Sequence, residues 1–85
     1  MYYVYVLSSK QKRVYVGYSA NLKRRLEQHN AGHVRSTKFY RPWTLIYYEA
    51  YKHKKDATKR ERQLKMHAVK SELFGRLKNS LKLEG

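Results

Sequence analysis

The chain contains no cysteine, which excludes a disulfide framework, a thiolate metal site and a cysteine nucleophile. A chain without disulfides fits a reducing compartment, and we expect a cytoplasmic protein. No apolar run approaches the roughly 20 residues of a membrane span. The opening MYYVYVLSSK has no basic region before its apolar stretch, so it does not resemble a secretory signal. From its 85 residues we expect a single domain over residues 1–85 with a small core.

Acidic residues are also scarce: six Asp and Glu stand against twenty Lys and Arg, for a formal net charge of +14. A small chain this basic is typical of proteins that bind a polyanion, most often nucleic acid. The basic residues are spread along the whole chain and form no single amphipathic segment, which argues against a membrane surface as the partner. A general solubility charge is the alternative explanation.

Hydrophobic patterning predicts an α+β fold: a small three-stranded antiparallel sheet flanked by helices, in the order β-β-α-β-α-α. Asn21 is a candidate N-cap and Gly32 a candidate stop for the first helix, while Asp56 is a candidate N-cap for the second. Ser71 and Glu72 are expected to begin the last helix. The predicted strands cover residues 2–8, 14–18 and 43–51, and the predicted helices 22–30, 57–68 and 71–81, with a basic loop over 33–42.

Two of the predicted helices carry charge on the stripe that an amphipathic helix normally buries. In the first helix, Arg25 and His29 share a face with Leu22 and Leu26. In the second helix, Glu61 lies on the apolar stripe. A buried charge is unfavourable unless it is paired or has a function. A buried Arg25–Glu61 ion pair, or long stems that reach the rim, would explain the pattern without chemistry, and a packed, hydrogen-bonded role would explain His29.

Strand alternation places Tyr3, Tyr5 and Leu7 on one face of the first strand, and Tyr15 and Gly17 on one face of the second. If these faces coincide, two tyrosine hydroxyls lie beside the following helix, and the glycine leaves room there. The tyrosines, the arginine, the histidine and the glutamate would then meet on one concave surface. Such a set suits a phosphate: a guanidinium for the anion, hydroxyls and an imidazole for proton transfer, and a carboxylate for a divalent metal.

These residues resemble the GIY-YIG nuclease domain, in which two short strands carry the name motifs and a helix with an inward arginine follows. The corresponding residues here are Tyr3-Val4-Tyr5, Tyr15-Val16-Gly17, Arg25, His29 and, on a later helix, Glu61. The resemblance covers nearly the whole chain and is closest to the small stand-alone, UvrC-like members of prokaryotes. Tyr3 stands where the first motif of the family has glycine.

The resemblance implies a metal-dependent endonuclease that hydrolyses phosphodiester bonds in DNA with a single divalent ion, Mg²⁺ or Mn²⁺. In that mechanism Glu61 would hold the metal, Arg25 would contact the scissile phosphate, and Tyr15 would hydrogen-bond nearby. Either Tyr5 or His29 would act as the general base, and the sequence leaves both open. Six carboxylates are too few to supply a two-metal site of the polymerase type.

Further candidates lie outside this set. Glu49 is a second candidate metal ligand, but it shares a strand face with Tyr47 and Tyr51, which favours a tyrosine-bonded structural role. Asn79 is the candidate for a polar residue that several family members carry near the end of the domain. The predicted phosphate-backbone contacts are Arg13, Arg35, Lys38 and Arg41.

Two other functions fit this basic composition. One is a non-catalytic nucleic-acid-binding module with the same fold. The other is a small RNA-binding protein of a different fold, which the predicted order of elements argues against. The chain has no room for the DNA-targeting domain of the larger family members, so a protein partner for targeting is an expectation. Damaged, branched or single-stranded DNA, or RNA, stay open as substrates, as does the oligomeric state.

Overall fold

The computed structural model describes residues 1–81, with side chains described over 1–66 and 71–79. It confirms the α+β class and the predicted order of elements, and adds a short helical turn at the end. The elements are β1 (Tyr2–Ser9), β2 (Val14–Ser19), α1 (Leu22–Asn30), a 3₁₀ turn (Lys38–Tyr40), β3 (Trp43–Tyr51), α2 (Lys54–Leu64), α3 (His67–Arg76) and α4 (Lys78–Leu81). Within residues 1–81, no helix has both the length and the apolar character needed to cross a bilayer.

The sheet has the strand order β2-β1-β3, and both pairings are antiparallel. The central position of β1 explains its composition, because a strand covered on both faces and paired at both edges reads as a continuous apolar run. Tyr5 pairs with Gly17, and Leu7 pairs with Tyr15. Directly paired residues point to the same face, so the two tyrosine-bearing faces coincide as the alternation predicted.

The two faces of the sheet bury different kinds of side chain. One face is aliphatic and packs against α2 and α3, with a core of Val4, Val6, Val16, Ala57, Leu64 and Leu73. The opposite face carries Tyr5, Leu7 and Trp43, and the leucines of α1, Leu22 and Leu26, pack against it. His29 of α1 lies over the same aromatic face, where its ring contacts the Tyr5 hydroxyl.

The start of α1 follows local sequence signals. The Asn21 side chain accepts a hydrogen bond from the Arg24 backbone N–H at 3.1 Å, which confirms the predicted N-cap. Gly32 follows the last turn with φ of 82°, a left-handed conformation that favours glycine. Both ends of α1 are thus determined by residues next to it in the chain.

The start of α2 differs from the prediction. The helix begins at Lys54 with His53 as its N-cap, so Asp56 is wrong as a cap. Asp56 lies in the first turn instead, where a carboxylate interacts favourably with the helix dipole. The observed helix is therefore three residues longer at its start, from Lys54 to Asp56. Only two residues separate the end of β3 at Tyr51 from this start.

The break between α2 and α3 was also predicted in the wrong place. α2 ends at Leu64 rather than Ala68, and α3 already begins at His67, so Ser71 and Glu72 lie inside a helix. No glycine or proline marks the break in the sequence. Leu64 and Leu73 both enter the aliphatic core, and that shared burial sets the path of the two helices.

Candidate active site

Tyr5 lies in the middle of β1, is 1% exposed, and faces α1. Its partner across the strand pair is Gly17. A Cβ atom at Gly17 would lie 2.5 Å from both Cζ and the hydroxyl oxygen of Tyr5, and 2.8 Å from the ring of Tyr15. The Tyr5 side chain therefore occupies the space that a side chain at position 17 would need, so this position requires glycine.

His29 is fully buried and makes a hydrogen bond from each ring nitrogen. Nε2 lies 2.8 Å from the Tyr5 hydroxyl, and Nδ1 lies 2.7 Å from Oγ1 of Thr37. The Thr37 hydroxyl also donates to the carbonyl of Val34 at 3.4 Å. Because that hydroxyl uses its own proton for Val34, it accepts a hydrogen bond from Nδ1–H of His29. Nε2 then carries no proton and accepts a hydrogen bond from the Tyr5 hydroxyl. The sequence prediction missed Thr37, and the available signal was that a buried histidine needs a second partner.

The tyrosine and the histidine both have strongly shifted pKa values. Burial, with a smaller contribution from the positive charge of Arg25, lowers the pKa of His29 to about 4. Burial raises the pKa of Tyr5 to about 12, although the guanidinium of Arg25 beside it opposes the rise. Both groups are therefore neutral at pH 7. Tyr15 adds ring contacts to the pair, with centroid distances of 5.0 Å to His29 and 6.3 Å to Tyr5.

Arg25 is half-buried and incompletely paired. Nη1 donates to Oε1 of Gln28 at 3.2 Å, while the buried Nε–H has no hydrogen-bond partner among the described residues. The arginine lines a cleft of about 400 Å³ together with Gln28, Arg24 and Tyr18. A buried guanidinium N–H without a partner is unfavourable, so the site suits an anion that supplies the missing acceptor. We call Tyr5, Arg25, His29 and Thr37 the Tyr5 cluster.

Glu61 lies on α2 and acts on Tyr5 through its charge. Its negative charge is the smallest of the contributions to the raised pKa of Tyr5. Its carboxylate accepts a hydrogen bond from Lys65 Nζ at 3.1 Å, and 22% of its side chain is exposed. The alternative of a buried Arg25–Glu61 ion pair is therefore wrong, because the glutamate pairs with a lysine one turn along its own helix.

The donor set around Glu61 distinguishes between kinds of metal. Among the described residues, no group of three or more His, Cys, Asp or Glu side chains forms a site that could hold an ion. That excludes, within those residues, the closed cage typical of structural zinc. A single, partly exposed carboxylate fits Mg²⁺, which binds oxygen ligands and keeps several waters.

Glu49 is not available as a metal ligand. One carboxylate oxygen accepts from the Tyr51 hydroxyl and from Arg60 Nε at 2.9 Å. The other accepts from the Tyr47 hydroxyl and from Arg60 Nη2 at 3.1 Å. Burial disfavours the charged form, but the hydrogen bonds from Arg60 and the tyrosines outweigh it and hold the pKa of Glu49 below its usual value. The tyrosine-bonded structural role is confirmed; we call these four residues the Glu49 cluster.

The predicted phosphate contacts lie around the 3₁₀ turn. The guanidinium of Arg13 stacks 4.7 Å from the ring centroid of Tyr40, and Lys38 Nζ lies 5.0 Å from that of Phe39. Arg41 donates from Nε to the carbonyl of Lys38 at 2.7 Å. Their role in binding stays a prediction, and we call Arg13, Arg35, Lys38 and Arg41 the basic loop surface.

Trp43 and Asn79 belong to neither of the two clusters nor to the basic loop surface. Trp43 is 5% exposed and donates from Nε1 to the carbonyl of Thr37 at 2.8 Å, so it packs under the loop. Asn79 is exposed on α4, and its role stays a prediction.

Comparison with known proteins identifies the family. The GIY-YIG catalytic domain matches residues 1–72. A UPF0213 protein of Staphylococcus haemolyticus is 36% identical over 73 residues, which cover 85% of this chain and 89% of the relative. A UPF0213 protein of Pediococcus pentosaceus is 37% identical over 83 residues, covering 96% and 87%.

A solved structure shares the fold. The solution NMR structure of a UPF0213 protein of Bacillus halodurans is similar with a TM-score of 0.56 and 29% identity, covering 88% of this chain and 84% of that one. The residues of both name motifs, with Arg25, His29 and Glu61, fall inside the matched domain. The chain therefore belongs to the GIY-YIG family of nuclease domains.

Proposed function

We propose that this protein is a metal-dependent endonuclease that hydrolyses phosphodiester bonds in DNA with a single divalent ion. The observation that carries the proposal is the buried, unpartnered Nε–H of Arg25 beside the hydrogen-bonded pair of Tyr5 and His29. Arg25 supplies a hydrogen-bond donor for an anion, and its charge acts on both Tyr5 and His29. Hydrolysis of a phosphodiester needs an anion site and a pair that can move a proton. The proposed compartment is the cytoplasm, and a separate protein is the proposed targeting partner.

Arg25 binds the scissile phosphate and stabilises the charge that develops on it. Its planar guanidinium presents parallel N–H groups, which match two phosphate oxygens. The adjacent cleft of about 400 Å³ is the proposed binding site for the phosphate. Because the positive charge is already oriented in the free protein, no reorganisation is needed when the anion arrives.

Tyr5 and His29, both candidates for the general base, act in sequence. Both ring nitrogens of the buried His29 are hydrogen-bonded, so it does not meet the attacking water. Tyr5 orients that water and receives its proton as its own proton moves to Nε2 of His29. In the free protein the pKa values of about 12 and about 4 disfavour this transfer. A phosphate bound at Arg25 offsets the positive charge that makes the smaller contribution to the low pKa of His29, and so favours protonation of His29 when substrate is in place.

Glu61 is the proposed metal ligand. A Mg²⁺ or Mn²⁺ ion bound there would neutralise charge at the leaving 3′ oxygen. The carboxylate is partly exposed and is held by Lys65, so the lysine can release it without unfolding α2. Tyr15 is the proposed hydrogen-bonding hydroxyl near the reacting groups, and its ring packs against His29 and Tyr5.

Nicking of supercoiled plasmid tests this proposal. We expect cleavage with Mg²⁺ or Mn²⁺, loss of cleavage in chelator, and loss of cleavage in Glu61→Gln. The matched control is Glu27→Gln, an exposed glutamate on α1 that should leave the rate unchanged. Cleavage that survives both chelator and Glu61→Gln would overturn the assignment.

A non-catalytic nucleic-acid-binding module is the second candidate, favoured by the net charge of +14 and by the basic loop surface. In that case wild-type protein binds DNA with a steep salt dependence but never cleaves it. Both Glu61→Gln and Arg25→Ala would then bind as the wild type does. The plasmid assay run beside a binding measurement separates the two functions.

A further inference from the structure

A second cleft, on the other side of α1, takes no part in the mechanism above. It has a volume of about 500 Å³ and lies between α1 and the strands β1 and β3. Its walls are mostly apolar and aromatic, with one cation: Tyr3, Leu22, Lys23, Leu26, Leu45 and Tyr48. We call it the Tyr48 cleft. The rings of Tyr3 and Tyr48 meet edge to face at 6.1 Å, and Tyr48 is 53% exposed although it is large and aromatic.

The Tyr48 cleft is adjacent to the proposed phosphate site. Ala20 and Asn21 line both this cleft and the cleft that holds Arg25. The two clefts therefore meet at the start of α1, one on each side of it. A strand whose phosphate is bound at Arg25 has its neighbouring nucleotide within reach of the second cleft.

We propose that the Tyr48 cleft binds one nucleobase of a single-stranded DNA segment, that of a nucleotide next to the cleaved phosphate. Aromatic rings stack on bases of any sequence, and the leucines supply an apolar floor. Lys23 at the cleft and the chain's net charge of +14 attract the backbone that carries the base. A base inside a duplex is stacked on its neighbours and cannot enter, so the site selects unpaired DNA.

The inference rests on the proposed function only for the position of the cleaved phosphate, because binding of the base needs no catalysis. It is tested in chelator by fluorescence anisotropy with a labelled 12-nucleotide single strand. The comparison ligands are the same strand with every base replaced by an abasic analogue, and the matching duplex. Tyr48→Ala removes the exposed ring, Tyr48→Leu keeps an apolar side chain without stacking, and Phe39→Ala removes a 75% exposed ring elsewhere as the control.

Both Tyr48 variants should weaken binding of the single strand about fivefold or more, while changing binding of the abasic strand and the duplex less than twofold. Phe39→Ala should not reproduce that pattern. A 2-aminopurine base in the strand should be quenched by the wild type and not by Tyr48→Leu.

An equal loss for all three ligands, or no loss for any, overturns the inference. So does base-dependent binding that Phe39→Ala removes and Tyr48→Leu retains. A protein that cleaves plasmid yet binds the normal and the abasic strand equally refutes the nucleobase site alone. A protein that never cleaves but shows base-dependent binding through Tyr48 refutes the nuclease proposal alone.

Discussion

The Glu49 cluster and the Tyr5 cluster each combine tyrosine with one arginine but differ in how completely their polar groups are paired. In the Glu49 cluster, two tyrosine hydroxyls and one guanidinium use both carboxylate oxygens, and each oxygen accepts two hydrogen bonds. In the Tyr5 cluster, the guanidinium of Arg25 keeps a buried N–H without a partner among the described residues. The Glu49 cluster is therefore closed, meaning that its carboxylate oxygens are all hydrogen-bonded. The Tyr5 cluster is open, because one N–H of Arg25 has no acceptor among the described residues.

This difference shows how a structural cluster and a candidate site can be told apart. A closed network stabilises one packing arrangement, here β3 against α2, and gains nothing from a ligand. An open network carries an unfavourable desolvated group, and a ligand with the complementary charge relieves it. We therefore expect substitutions in the Glu49 cluster to change stability and substitutions at Arg25 to change activity.

The largest expected effect is on cleavage in Arg25→Ala. Removing a preorganised donor to the transition state should slow plasmid nicking by about 10²–10³-fold. Arg25→Lys should not restore the rate, because an ammonium cannot present the planar pair of donors. Arg60→Ala, in the closed cluster, should lower thermal stability and leave cleavage per folded molecule unchanged. Equal rates in Arg25→Ala and the wild type would remove the distinction between the clusters.

The second effect is acid destabilisation through His29. Its pKa is about 4 in the folded protein and about 6.5 when unfolded, so the unfolded state binds the proton first as pH falls. Stability should therefore decrease from about pH 6.5 and lose about 3 kcal/mol by pH 4, below which this contribution is exhausted. Urea unfolding between pH 4 and 7 measures it. In His29→Gln the loss of stability between pH 7 and pH 4 should be smaller by this amount. The loss due to Glu49 begins only as pH falls to about its unfolded pKa of 4.5, so it leaves the range above about pH 5 to His29.

The third effect is a loss of stability in Glu49→Gln. The shape is kept, but the charge that faces the partly buried Arg60 is lost, and the free energy of unfolding should fall by about 2 kcal/mol. Cleavage per folded molecule should not change. Glu72→Gln is the matched control, because its pair with Arg76 is exposed and such pairs contribute little. A similar loss in both variants would show that the Glu49 cluster is no more than a surface ion pair.

A fourth, smaller effect tests the packing of the open cluster. Gly17→Ala places a methyl group 2.5 Å from the Tyr5 hydroxyl and should cost about 1–2 kcal/mol while displacing that hydroxyl from His29. Cleavage should fall with it. In Gly75→Ala the new methyl group contacts nothing within 4 Å, and the variant should be slightly more stable, since alanine favours the helix. Unchanged cleavage in Gly17→Ala would show that the position of Tyr5 is not critical.

The smallest effect lies outside both clusters, on the basic loop surface. Lys38→Gln should reduce the slope of log affinity against log salt by about 1, equally for all DNA sequences. Salt titrations of duplex binding at fixed temperature measure it. Arg13→Gln should behave in the same way, whereas Glu49→Gln should leave the slope unaltered. A slope that neither basic variant changes would place the DNA backbone elsewhere on the protein.

Periodicity predicted much of the site because the relevant positions are close together in the chain. The helical repeat put Arg25 and His29 on one face, and strand alternation put Tyr5, Tyr15 and Gly17 on another. The residue it missed, Thr37, lies in an irregular loop where no period applies. The boundary between α2 and α3 was missed for a related reason, because burial in a shared core, and no local breaker, sets it.

By itself, the sequence determined the order of elements and which side chains face inward, since both follow from local backbone geometry. Only the tertiary structure decided which inward groups are paired. Tyr5 and His29 are 24 residues apart in the chain, and the partners of Glu49 come from β3 and, 11 residues on, from α2. Hydrogen bonding depends on distances of about 3 Å, which no repeat in the sequence encodes. Packing therefore paired both carboxylate oxygens of Glu49 and left a buried N–H of Arg25 without a partner among the described residues.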